Sequence, residues 1–424
     1  MQSAFPEGFL WGTATSSHQV EGENQANDWW EWERDASHLF DGAPSGKALE
    51  WWTGRAEEDL ARAAGLGQNA HRLSLEWSRL EPEPGKWDDR AFERYVEMLR
   101  AARSLGITPM VTLNHFTLPR WLAQKGGWLS NEAAARFASF ATESVARLEA
   151  HAELWATLNE PNVLAYLGYG GTRWPPGRGE ISAALRAYAA MLRAHALAYR
   201  AIKARSARAR VGLVLSLPVF DPARATVRDR APASMTDWAF SGAALHALSK
   251  GRLVPPLGAS RVPGLRGALD WLGVNYYGRY TVEFDPRSPE FFGRRPSAGH
   301  IKTPWSDWGE PWAEGLTRRL LQLGKLGVPL YVTENGIRDP RDELRPDFLR
   351  QHIAAVARAL RGGADVRGYF HWSLVDNFEW AEGWSSPFGL YALDRTTGLR
   401  AARPSAAVYA SLCRSNGATL PPER

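Results

Sequence analysis

Cysteine is almost missing from this chain. Cys413 is the only one in 424 residues, which excludes an intramolecular disulfide and any zinc site built on several thiolates. Lysine is scarce too, at 7 of the 51 basic residues, and 46 acidic residues leave a formal net charge of only +5. That balance lacks the clustered basic footprint of a nucleic-acid binder. Arg186, Arg193 and Arg200, spaced seven residues apart, read as the solvated side of a helix. No uninterrupted apolar run is long enough to span a bilayer. The opening Met-Gln-Ser-Ala-Phe-Pro has neither the basic n-region nor the apolar h-segment of a secretory signal. A cytoplasmic protein with no membrane or nucleic-acid partner is therefore expected. Phosphate-cradling glycine loops are absent, as is any His-x-x-x-His pair among the 10 histidines, so neither a cofactor nor a metal is expected.

What is present is a large apolar fraction in a repeating order. Hydrophobic residues make up 44% and charged ones 23%, enough for a substantial core. Strand-like runs recur at 9–17, 69–78, 107–115, 154–161, 210–217, 271–277, 329–335 and 366–373. Several are nearly continuous apolar stretches, as in parallel strands covered on both faces. Amphipathic segments at 89–105, 131–149, 181–204 and 346–360 read as helices between them. Strand–helix alternation repeated eight times predicts an α/β fold, a single (β/α)8 barrel domain over 1–424 with extended loops after the strands. The irregular stretches 78–87, 162–179 and 278–312 are the candidate loops of the active face.

Two strings place a glutamate at the end of such a run. They are Thr157-Leu158-Asn159-Glu160-Pro161-Asn162 and Tyr331-Val332-Thr333-Glu334-Asn335-Gly336. Carboxylates are rarely buried without partners, and a pair of them suits glycosidic bond cleavage. One protonates the leaving oxygen while the other meets the cationic carbon. Other polar residues fall at the same ends: Gln19 after strand one, Arg72 and Glu76 in strand two, His115 ending strand three. Asn275 and Tyr277 end strand six, and Trp372 ends strand eight. Taken singly, His115 reads as a structural histidine, Arg72 as half of a barrel ion pair, and Tyr277 as core with a bonded hydroxyl. Clustering at one end of so many strands is what points to a site. The segment Trp372-Ser373-Leu374-Val375-Asp376-Asn377-Phe378-Glu379-Trp380 adds a carboxylate between indoles, suited to gripping adjacent sugar hydroxyls with a ring stacked alongside.

With these motifs the whole chain resembles a family 1 glycoside hydrolase, the β-glucosidase/β-galactosidase family. The likeness runs from Phe5-Pro6-Glu7-Gly8-Phe9-Leu10-Trp11-Gly12 to Arg403-Pro404-Ser405-Ala406. Val274-Asn275-Tyr276-Tyr277 and Gly363-Ala364-Asp365-Val366-Arg367-Gly368-Tyr369 look closest to the archaeal-type enzymes. The resemblance implies Glu160 as general acid/base and Glu334 as nucleophile, with Arg72 and Tyr277 beside the nucleophile. It implies Asn159 at the sugar 2-hydroxyl, Gln19, His115, Glu379 and Trp380 at other hydroxyls, Asn275 in the substrate-binding set, and Trp372 under the glycone. It further implies a retaining β-glycosidase acting on a small-molecule or oligosaccharide β-glycoside. Glucosides, galactosides and fucosides are all expected. A negative Glu379 would repel a 6-phosphate, and Ala381-Glu382-Gly383-Trp384 lacks the Ser-x-Lys-x-Tyr arrangement of relatives that cleave phosphorylated sugars. Phe116 stands where many relatives carry tryptophan, and 149–153 departs from their usual turn. Transfer to sugar or alcohol acceptors, a non-catalytic carbohydrate binder and homo-oligomerisation remain open alternatives at this level.

Overall fold

The computed structural model describes residues 4–288, 293–294 and 308–420. Of the stretch expected to be irregular over 278–312, residues 289–292 and 295–307 lie outside the described residues. Eight parallel strands close into a barrel in chain order, strand one pairing with strand eight. They are Leu10–Ala14, Ala70–Ser74, Thr108–Asn114, Leu154–Asn159, Arg210–Ser216, Trp271–Asn275, Leu330–Asn335 and Val366–His371. All eight strand expectations match, but most stop short at the carboxyl end. There the polar side chains leave the ladder. Glu76 lies beyond strand two, not in it, and caps the short helix Trp77–Leu80 by accepting from the Ser78 amide. His115 and Trp372 follow their strands by one residue and Tyr277 by two.

The four expected helices are present as Asp89–Ser104, Ala133–Leu148, Ile181–Arg205 and Arg345–Arg361. Asp88 starts the first of these by accepting from the Ala91 amide at 3.0 Å, a standard N-cap. Arg186, Arg193 and Arg200 are exposed on Ile181–Arg205. Helices Ala56–Gly65, Ala243–Lys250, Ala313–Gly324 and Pro404–Arg414 complete the outer layer, though their periodicity was not a sequence expectation. No described helix is long and apolar enough to cross a membrane.

The apolar core has two compartments. The larger lies between strands and helices and takes Trp11, Leu73, Leu158 and Val332, whereas a smaller cluster holds Met110, Leu154, Val214, Trp271, Tyr331 and Phe370. Members of the second set alternate along their strands with members of the first, so they fill the barrel interior. Such large rings fit there because glycine faces them. A Cβ at Gly212 would collide with the Trp271 indole, and one at Gly12 would come within 2.7 Å of Phe370.

Alternation fails at two places, both near the carboxyl ends. Thr157 points outward to His195 of Ile181–Arg205, with Oγ1 2.7 Å from Nδ1, and Leu158 also joins the outer core. A register shift against strand five between Ala156 and Asn159 then returns Asn159 to the interior. Strand seven shifts against strand six between Val332 and Glu334, so that Thr333 and Glu334 both face inward. Irregularities of this kind re-aim side chains beside active sites.

Gly212→Ala should lower unfolding stability by about 1–3 kcal/mol through overpacking against Trp271. Denaturant titration followed by tryptophan fluorescence measures this, and an unchanged midpoint would contradict the account of the barrel interior.

Candidate active site

Strand two delivers Arg72 into the carboxyl end of the barrel, and three strands answer it. Its Nε donates to Thr112 Oγ1 at 2.9 Å, Nη2 to Asn159 Oδ1 at 2.6 Å and Nη1 to Glu334 Oε1 at 2.6 Å. Tyr277 donates its hydroxyl to the other Glu334 oxygen at 2.8 Å. Asn275, oriented by the Thr333 hydroxyl at 2.7 Å, gives its amide to Glu160 Oε1 at 2.9 Å and to Asn159 Oδ1 at 3.2 Å. The two glutamates thus belong to one bonded network and line one cavity of about 410 Å³. Glu160 sits in the left-handed region at φ 44°, a costly conformation for a non-glycine residue. It is followed at once by Pro161 at the first turn of Pro161–Leu164.

Their surroundings differ. Burial pushes the Glu160 carboxyl up to about 8, with the negative charge of Glu334 adding to the rise. Burial raises Glu334 as well, but Arg72 and the Tyr277 hydroxyl pull against it. Glu334 therefore ionises first and Glu160 keeps the proton. Tyr277, raised well above its ordinary value by burial and then by the Glu334 charge, remains a donor. One protonated and one ionised carboxyl facing a shared cavity can act as acid and nucleophile.

Seven of the expected site residues form the cavity wall: His115, Glu160, Tyr277, Glu334, Trp372, Glu379 and Trp380. The other four, Gln19, Arg72, Asn159 and Asn275, stand behind it. Gln19 donates to Phe378 O at 2.6 Å, Asn377 Oδ1 at 3.0 Å and Glu379 Oε2 at 3.3 Å, gripping the turn after strand eight. His115 stacks between Trp372 and Trp380, with ring centroids at 6.1 and 6.0 Å. Burial, reinforced by Arg72, holds its pKa well below the ordinary range, so the ring is neutral. The bond from Arg72 to Asn159 Oδ1 turns the Asn159 amide nitrogen toward His115 Nε2 at 3.1 Å. The ring proton then sits on Nδ1, which is buried and has no protein partner among the described residues.

One expectation needs correction. Glu379 is not permanently negative: burial pushes it up to about 8, with the Trp372 indole at 3.4 Å and Gln19 opposing the rise. At neutral pH it is therefore mostly the neutral acid. Sequence reasoning also missed Thr112, Thr333, Trp174 and Trp308. The two threonines occupy inward positions that counting by twos from Met110 and Tyr331 would have found. The tryptophans come from irregular loops that carry no periodic signal. A separate opening of about 720 Å³ is lined by Thr108, Arg210 and Asp365, at the amino ends of strands, and holds none of the expected site residues.

Comparison with known proteins agrees with this geometry. The sequence profile "Glycosyl hydrolase family 1" matches residues 1–418. The chain is 33% identical to a β-galactosidase of Pyrococcus woesei over 98% of both chains. It is 32% identical to β-glucosidase A of Thermotoga maritima, covering 97% of this chain and 98% of that one. Among solved structures, a β-glycosidase from Pyrococcus horikoshii superposes with a TM-score of 0.89 at 38% identity, covering 98% of this chain and 96% of that one. A chain matched from end to end, with two unlike glutamates converging on one cavity of an eight-stranded barrel, belongs to glycosyl hydrolase family 1 and is a retaining β-glycosidase.

Proposed function

We propose that Glu160 is the general acid/base and Glu334 the nucleophile of this β-glycosidase, within a single catalytic barrel domain. The enzyme releases the non-reducing terminal β-D-glycosyl residue. The observation that carries the assignment is the unequal company of the two carboxyls. Arg72 and Tyr277 bond to Glu334, whereas Glu160 receives only neutral donors, the Asn275 amide and the Ser216 hydroxyl. Glu334 attacks the anomeric carbon as Glu160 protonates the leaving oxygen. Ester formation then removes the Glu334 charge, which is one cause of the raised Glu160 pKa. Glu160 consequently becomes a better base for the incoming water.

The glycone lies against Trp372 and Trp380, with His115 and Glu379 at its hydroxyls. Asn159 and Gln19 reach it only by exchanging one of their present partners. Among the described residues that line the cavity there is no lysine or arginine to neutralise a phosphate. That supports unphosphorylated glucosides, with galactosides and fucosides as further substrates. The names borne by relatives support the same range: β-galactosidase, β-glucosidase and, in Bifidobacterium breve, a bifunctional β-D-glucosidase/β-D-fucosidase. The relatives give the transglycosylation alternative no advantage over hydrolysis. A cytoplasmic location and a place in carbohydrate metabolism complete the proposal, in keeping with a chain that has one cysteine.

Glu334→Ala should lower kcat/KM on aryl β-glucosides by at least about a thousandfold. Added azide should restore turnover as the α-glycosyl azide, since the small anion enters from the vacated face. Retained wild-type activity would contradict the assignment. Glu160→Gln should harm substrates with poor leaving groups far more than activated aryl glucosides, and equal losses would exclude the acid role. In the wild type, kcat/KM should fall as pH rises through about 8, because the free enzyme then loses the Glu160 proton. With an activated aryl glucoside, Glu160→Gln should lack this alkaline decline. Its persistence would trace the decline to another group.

A further inference from the structure

The cavity has two groups of aromatic rings with different chemical company. His115, Phe116, Trp174, Trp372 and Trp380 contact one another, and Glu379 lies among them with Gln19 behind it. The second group comes from loops after strands four, five and six. Tyr166 lies 5.3 Å from Phe240, Phe240 lies 5.7 Å from Phe220, and Phe220 stacks on Tyr280 at 5.6 Å and 21°. Backbone pairing sets the last contact, since Val219–Pro222 and Arg279–Phe284 run parallel with Phe220 opposite Tyr280. All four rings are half-buried, so each keeps a face or an edge exposed.

Val163 and Pro218 fill in around this ridge, and Leu167 and Ile181 continue it outward, 41% and 38% exposed. Among the described residues that line this part of the cavity none is charged and none carries an amide side chain. The polar groups are the tyrosine hydroxyls and those of Ser216 and Thr236, and Ser216 already bonds to Glu160. A sugar bound here would bury hydroxyls with few partners, which is unfavourable. A hydrocarbon chain would gain about fourfold in affinity for each methylene removed from water.

We propose that the leaving-group side of this cleft is an apolar subsite that selects alkyl or aryl aglycones over sugars. Tyr166, Phe220, Phe240 and Tyr280 are its specificity-determining residues. This rests on the β-glycosidase activity proposed above and adds the class of leaving alcohol.

A series of n-alkyl β-D-glucosides tests it, because the leaving alcohols differ in length but barely in acidity. For the whole chain, kcat/KM should rise about a hundredfold from methyl to octyl β-D-glucoside, the gain from burying about three to four of the added methylenes, the latter substrate kept below its micelle-forming concentration. Octyl glucoside should also be preferred to cellobiose, although the sugar hydroxyl is the better leaving group. Phe220→Ser and Phe240→Ser should each cut the octyl-to-methyl ratio at least tenfold. The ratio does not depend on how much of a variant folds. A wild-type ratio below ten, a preference for cellobiose, or serine variants that keep the full ratio would overturn the proposal, provided 4-nitrophenyl β-D-glucoside is still cleaved. Failure to cleave that substrate as well would instead overturn the activity itself.

Discussion

One buried guanidinium organises the carboxyl end of the barrel. Arginine does not give up its proton, so Arg72, with no exposed surface, requires a matching charge, and Glu334 supplies it at 2.6 Å. Removing either partner would leave an unpaired buried charge, at roughly 3–5 kcal/mol. The contact that makes the cation tolerable in the core also keeps the Glu334 carboxylate ionised. The influence of Arg72 reaches further through Asn159, whose amide it orients and which in turn settles where the His115 ring carries its proton. A single charge thus sets both the ionisation of Glu334 and the tautomer of a histidine in the cavity wall.

The second carboxyl depends on being denied that company. Glu160 is buried with only the neutral Asn275 amide and Ser216 hydroxyl as side-chain donors, and burial with the nearby negative charge keeps it protonated. Its left-handed backbone costs about 1–3 kcal/mol. The conformation is held by its own amide bonding to Val214 O at 2.9 Å and by the proline that opens the next helix. Difference of environment, on one floor of one cavity, is what separates their protonation states.

Much of this was legible in the sequence, for identifiable reasons. Runs such as 154–158 and 329–332 are apolar enough to read as buried strands, and Glu160 and Glu334 stand out because a carboxylate after such a run has no packing explanation. Strand periodicity could not say that Asn159 and Glu334 face inward, since strict alternation would turn them out and register shifts against neighbouring strands bring them back. The neutral state of Glu379 was equally hidden, because it arises from burial by rings that converge only after folding. The ridge of Phe220, Phe240 and Tyr280 escaped notice because its members lie in two short strands and a short helical segment about twenty or more residues apart.

The shift in strand four has a consequence beyond aiming one side chain. By spending two successive positions on the outside, it ties Thr157 to His195 on an enclosing helix while Asn159 and Glu160 work within. Scaffold and chemistry are then coupled by a lever three residues long. The outer helix acts as the anvil against which the Glu160 carboxyl is steadied, and drift in its seating would be transmitted to that group.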